Sequence, residues 1–293
     1  MGKKSKKSRE DIIAKRLAKA QAAAFVQRPF EGLPFEADLI CLRELVPAAT
    51  ASAKLTEEYG GTEITFASLL PAAWQALHRA DGEIMAGLQV PFSSPDASRD
   101  VTAAILKVKD AEPGTYAEAD TNPGDGPRLQ DILDTSVPFK VTVAESFDYW
   151  LPEDADQQDE DLKAGLEQAN ENISPTEKLV SAEAAYWTEM GGRIYVRWAQ
   201  SESEDAVMNG LARLHARGDN TLGGIGKYLG CFRAQGIVIP VWELPDNTQP
   251  DEVEGSLGEF RTQLDEAMAS TEPLSFEERR AKAGVVSRQL TIR

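Results

Sequence analysis

The chain has 293 residues, 42% of them apolar and 7% aromatic, with a net charge of -17. That is enough for one large domain or two of ordinary size around a true hydrophobic core, and it excludes a chain too polar to fold. No apolar run approaches the 18 residues of a membrane helix, so no membrane span is expected.

The charge is unevenly placed. Residues 1–20 carry Lys3, Lys4, Lys6, Lys7, Arg9, Lys15, Arg16 and Lys19 against only Glu10 and Asp11, a net of +6; the other 23 basic residues of the chain face 46 acids, a net of -23. A cationic arm on an acidic body reaches polyanions that the body repels. The first residues are too polar to fold alone. From about Arg9 the spacing predicts a helix capped by Ser8, with Ile13, Leu17, Ala20 and Ala24 on one stripe, ended by Pro29. Two readings stand side by side: an anchor for RNA, the ribosome or another anionic surface, and a solvated tail. Lys15, Arg16 and Lys19 interrupt the alanine-rich stretch, so it does not read as a secretory signal, and a cytoplasmic location is expected.

Beyond the arm one unit recurs: strand, glycine turn, strand, then a helix with an acidic start. The turns are Asp81-Gly82, Gly191-Gly192 and Gln235-Gly236. The helices begin near Ser98, Ser203 and Pro250, with Val101, Ile105 and Val108, then Val207, Leu211 and Leu214, then Val253, Leu257 and Phe260 on one face. Internal duplication explains the shared spacing, and so does the abundance of such units. Either way the expected fold is α+β, with mostly antiparallel sheets built from hairpin-plus-helix units. The Pro-, Gly- and Asp-rich stretch 113–127 reads as a linker, giving an arm over 1–28, a first α+β domain over 29–112 and a second over 128–293. Past the linker, RLQDIL reads as a short helix, FKVTVAESFDYWL as a strand or pair of strands, and 152–170 as an acidic segment.

Candidate chemistry is sparse. Cys41, Cys231, His78 and His215 have no metal-ligand spacing, so neither a metal nor a cofactor is expected, and counting alone leaves a Cys–His pair open. The segment LGGIGKYLG (222–230) offers Gly224, Gly226 and Lys227 as an anion loop, but a P-loop would need glycine where Thr221 stands and Ser or Thr where Tyr228 stands. A dinucleotide loop lies between a strand and the helix it opens; here a helix precedes and a strand follows, so a flexible joint is the better reading. Acids at 154–165 lack the glycine and terminal glutamate of a calcium loop. Glu145, Asp148 and Glu243 are carboxylates in or near apolar strands, where burial raises a pKa, yet strand alternation can turn each to water. The five tryptophans read as core rather than as a base-stacking platform. Ser275 and Glu278 form a capping box opening a basic C-terminal helix.

The segments VQRPFEGLP (26–34), LRELVPAAT (42–50), DGPRLQDIL (125–133) and FRAQGIVIPVWELP (232–245), with the terminal ERRAKAGVVSRQLTIR, resemble a bacterial family of unknown function over about residues 26–293. The resemblance implies no particular activity. Longer relatives carry a SEC-C zinc motif ahead of the FEGLP segment; this chain has the lysine-rich arm there and none of those cysteines, so zinc does not carry over. An N-terminal attachment element is what the likeness implies. The leading expectation is a non-catalytic adaptor docking on RNA or a ribosome-like partner through the arm; the alternative is an enzyme binding a nucleotide or phosphate at Gly223–Gly230.

Overall fold

The computed structural model describes residues 25–122, 124–152 and 160–287. The arm residues Lys3, Lys4, Lys6, Lys7, Arg9, Lys15, Arg16 and Lys19, with the helix expected from Arg9, lie outside the described residues, as do 153–159 of the acidic segment.

The fold is α+β with two mostly antiparallel sheets. In chain order the elements are α1 (Glu36–Glu44), β1 (Ala49–Lys54), β2 (Glu63–Ala67), β3 (Ala76–His78), β4 (Ile84–Gly87), α2 (Ala97–Val108), β5 (Tyr116–Ala117), α3 (Leu129–Ile132) and β6 (Val141–Val143). There follow α4 (Glu160–Asn170), β7 (Thr176–Lys178), β8 (Ala185–Met190), β9 (Arg193–Trp198), α5 (Glu204–Arg217), β10 (Lys227–Ala234), β11 (Ile237–Leu244), α6 (Pro250–Ala269) and α7 (Phe276–Ser287). The first sheet runs β5-β3-β4-β2-β1-β6, with one parallel pair, β2 and β4. The second runs β10-β11-β9-β8-β7 and is antiparallel throughout.

All three glycine hairpins form. Gly191 and Gly192 (φ 59° and 72°) join β8 to β9, and Gln235 and Gly236 (φ 47° and 85°) join β10 to β11. Positive φ at both central residues is the type I′ geometry whose twist matches the flanking strands. Gly82 (φ 93°) closes the turn between β3 and β4. The three helices follow as read: Ser203 caps α5 through the Ala206 amide, Pro250 opens α6, and the apolar triads of α2, α5 and α6 are all buried. The Ser275–Glu278 capping box also forms, at 2.7 and 3.2 Å. The 139–151 stretch differs from its sequence reading. Only Val141–Val143 is strand; Asp148–Trp150 turns in a 3-10 step because Tyr149 Oη and Trp150 Nε1 both donate to the Leu69 carbonyl, at 3.0 and 2.8 Å.

Strand alternation sorts the second sheet into two faces. Trp187, Val196, Val238 and Trp242 point to α5 and α6, whereas Tyr186, Ile237 and Ile239 join the core of the first sheet. That shared core is filled by α1 and α2. Leu39, Ile40, Cys41 and Leu42 are four successive buried residues on α1, as a helix enclosed on all sides requires. The far face of the first sheet carries Met85 and Leu77 beneath Trp74, Tyr149 and Trp150.

The segment entering α1 rests on the β10–β11 turn. A Cβ placed on Gly236 would lie 2.6 Å from the Gln27 carbonyl and 2.8 Å from Arg28 Cβ. Gly236→Ala therefore combines left-handed strain with a backbone clash. We expect it to lower stability by about 2 kcal/mol or more in urea unfolding, where Gly191→Ala, with open space around its Cβ, loses only the conformational part.

Candidate functional site

Helix α1 carries charge into the space between the sheets, and Glu36 and Asp38 each meet a cation there. Arg28 grips the Glu36 carboxylate with Nε and Nη2, at 2.6 and 2.7 Å, and Nη2 also donates to the Ser201 carbonyl. Glu36 is 3% exposed. The hydrogen bonds to Glu36 hold the Arg28 guanidinium above its ordinary pKa. Two residues on, Asp38 receives Lys178 Nζ at 2.7 Å and the Tyr186 hydroxyl at 2.9 Å. Past the C-terminal end of α1, Arg197 Nη2 donates to the Leu45 carbonyl at 3.1 Å, complementing the negative end of the helix. Burial pulls Arg197 down to about 10.

Neither thiol is poised for chemistry. Cys41 is fully buried, its Sγ 3.6 Å from the Ala184 carbonyl, and burial pushes its pKa well above the usual thiol value. A nucleophilic cysteine needs the opposite shift. The histidines are held elsewhere: His78 Nδ1 pairs with the Ala111 carbonyl at 2.8 Å, and His215 Nδ1 accepts from Asn220 at 2.7 Å. Among the described residues no group of three or more His, Cys, Asp or Glu converges to hold a metal ion.

Two clefts open on the seam between the sheets. One, of about 290 Å³, lies between α1, the 198–202 segment and α6, and is lined by Asp38, Glu183, Glu202 and Asp265 over Phe35 and Trp198. The other, of about 510 Å³, is lined by Val26, Arg28, Arg128, Gln130, Glu204 and Gly236. The loop 201–204 serves both, so the root of the N-terminal arm sits at the border between them. The root is pinned: Val26 N–H donates to the Pro95 carbonyl at 2.8 Å, and Gln130 Nε2 donates to the Pro29 and Glu31 carbonyls at 2.8 and 3.0 Å.

The larger cleft draws its lining from 26–31, from Arg128 and Gln130, from Ser203 and Glu204, and from Gly236. The family model described as "Family of unknown function (DUF5926)" matches residues 29–293. The chain belongs to the DUF5926 family. No curated protein and no solved structure matches it.

The glycine segment lies elsewhere. Gly218, at φ 83°, ends α5, and residues 222–226 make a tight turn in which the amides of Leu222, Ile225 and Gly226 bond to carbonyls within the turn. Gly223 backs onto Ser256 of α6, Gly224 is exposed, and Lys227 opens β10 opposite Glu243. Gly224, Gly226 and Lys227 are together in this turn, and none of them lines either cleft. Glu145 and Asp148 are exposed, and Glu243 pairs with Arg193 at 2.9 Å. Trp187, Trp198 and Trp242 are core residues.

Sequence reasoning did not find Arg28, Glu36, Asp38, Lys178 or Arg197. Asp38 and Lys178 are 140 positions apart, and no local spacing relates them.

Two outcomes follow from this geometry. Arg28→Ala strands a carboxylate that is 3% exposed, and we expect a loss of about 3 kcal/mol in chemical denaturation. Burial raises the phenol of Tyr186 and that of Tyr149 above the ordinary tyrosine value. Their contribution to stability is fully present below about pH 10, where the unfolded phenol starts to ionise, and is lost as pH rises toward the folded value. Absorbance titration of the native protein should leave at least two of its six tyrosines un-ionised until the chain unfolds.

Proposed function

We propose that this protein is an adaptor that seats an acidic α+β body on a polyanion, with RNA or a ribosome-like particle as the target class. The observation that carries the reading is the partition of charge: +6 on residues 1–20 against -23 on the rest. A body of that charge repels phosphate, so a polyanion is engaged through the arm or not at all. The pinning of Val26 and Arg28 supports the same reading, because it gives the arm a fixed root on the body.

The chemistry of such a contact is counterion release. Each phosphate neutralised on a single strand contributes about -0.7 to the slope of log affinity against log salt. Engagement of most of the eight arm cations gives a slope of about -4 to -5. Titration of full-length protein into a fluorescent single-stranded RNA over a range of salt is expected to show that slope. Removal of residues 1–20 should flatten it to near zero and weaken binding at least 100-fold. Equal affinity without the arm would overturn the assignment.

A further inference from the structure

We propose that the acid-lined cleft beside α1 receives a lysine-bearing stretch of the chain's own N-terminal arm, around Lys15, Arg16 and Lys19. Three observations converge on this occupant. The first is charge. Asp38 is matched by Lys178, and Asp265 lies 3.8 Å from Arg261, but neither Glu183 nor Glu202 has an ion-pair partner among the described residues. Glu202 feels the Arg28 guanidinium only at longer range, and Glu183 meets no cation within ion-pair distance among the described residues, so the cleft favours an incoming cation.

The second is a buried amide. Gln200 lines the cleft, is 3% exposed, and its Nε2 has no hydrogen-bond partner among the described residues. A buried donor left unmade is costly, so it points to an acceptor supplied by a ligand. A free metal ion or a simple ammonium offers none. A peptide bearing lysine offers both halves: a main-chain carbonyl for Gln200, and an ammonium for Glu183 or Glu202. Phe35, Trp198 and Ala199 give its methylene stem an apolar bed.

The third is proximity. Arg28, in the root of the arm, donates to the Ser201 carbonyl, and Ser201 lines this cleft. Lys19 stands seven residues before Val26, an extended reach of up to about 25 Å. The arm has both the chemistry and the length to occupy the cleft. A polyanion and the cleft then compete for the same cations, so cleft occupancy tempers RNA affinity. That consequence rests on the polyanion-docking reading; the docking itself does not.

The test uses the full chain. Cys41 and Cys231 are both fully buried, so Ala18→Cys takes a nitroxide label selectively. The reporters are the tryptophan indole N–H resonances. Trp198 lines the cleft, and Trp74 and Trp150 lie over the far face of the first sheet. At low salt the label should at least halve the Trp198 signal and spare Trp74 and Trp150. The effect should vanish in the Glu183→Gln/Glu202→Gln protein, and in about 1 M salt, where the screening length is about 3 Å. An unaffected Trp198, or equal broadening in the doubly neutralised protein, would sink the proposal. Added RNA separates the two readings. If it restores the Trp198 signal, the arm has been drawn away to the polyanion. If Trp198 stays broadened beside RNA that does not bind, the docking stands and the adaptor reading falls.

Discussion

The architecture depends on how α1 is accommodated. A helix with Leu39, Ile40, Cys41 and Leu42 buried in succession has no solvent face over that turn, so it must lie between two layers. The same nine residues include Glu36 and Asp38, which cannot enter an apolar space unpaired without a large desolvation penalty. Arg28 answers Glu36 from the segment before the helix, and Lys178 and Tyr186 answer Asp38 from β7 and β8. Apolar packing alone tolerates sliding of one layer on another. The ammonium of Lys178, 2.7 Å from both Asp38 oxygens, and the Tyr186 hydroxyl at 2.9 Å do not, so these contacts fix where the second sheet sits relative to α1. The two clefts are the space left over at the edges of that fixed seam.

The seam also decides where the arm begins. Val26 and Arg28 are tied to Pro95, Glu36 and Ser201, and Gly236 leaves room for the Gln27 carbonyl. Anything preceding Phe25 therefore starts from a defined point beside the larger cleft. At physiological salt the screening length is about 8 Å. At that range only a cation held close to the body is drawn to it. In the docking proposed above, the inner part of the cationic segment meets the protein and the outer part is left for another anion.

Much of the fold was legible because its signals are local. Glycine pairs at 191–192 and Gln235-Gly236 between alternating strands specify a hairpin within a few residues, and Val207, Leu211 and Leu214 specify a helix face within two turns. The chain direction around Gly224 and Gly226 was equally legible, since a helix end before and a strand after are both local facts. What escaped was non-local. The parallel β2–β4 pair, the folding of Tyr149 and Trp150 onto Leu69, and the pairing of Asp38 with Lys178 depend on partners brought together only by the finished fold. Helix α1 itself has little amphipathic pattern to read, because burial on all sides erases the periodicity that marks a surface helix. The candidate site lies where sequence spacing carries no information, and composition alone marked the arm that leads to it.

Weakness of the individual contacts is what makes the seam suitable for exchange. A partly exposed ion pair contributes about 0–1 kcal/mol, so one or two lysines against Glu183 and Glu202 would not hold a free peptide. Tethering changes the comparison. A segment joined through a short linker has an effective concentration on the order of millimolar, enough for weak pairs and one recovered hydrogen bond at Gln200 to retain it for part of the time. On the proposed function, a polyanion would meet more of the eight cations at once and release counterions at each, and so prevail at modest concentration. A tight cleft would sequester the arm permanently, and no cleft would leave it always available. In the proposed docking the balance lies between those limits, through an acid-lined cleft, an unmet amide and a short tether.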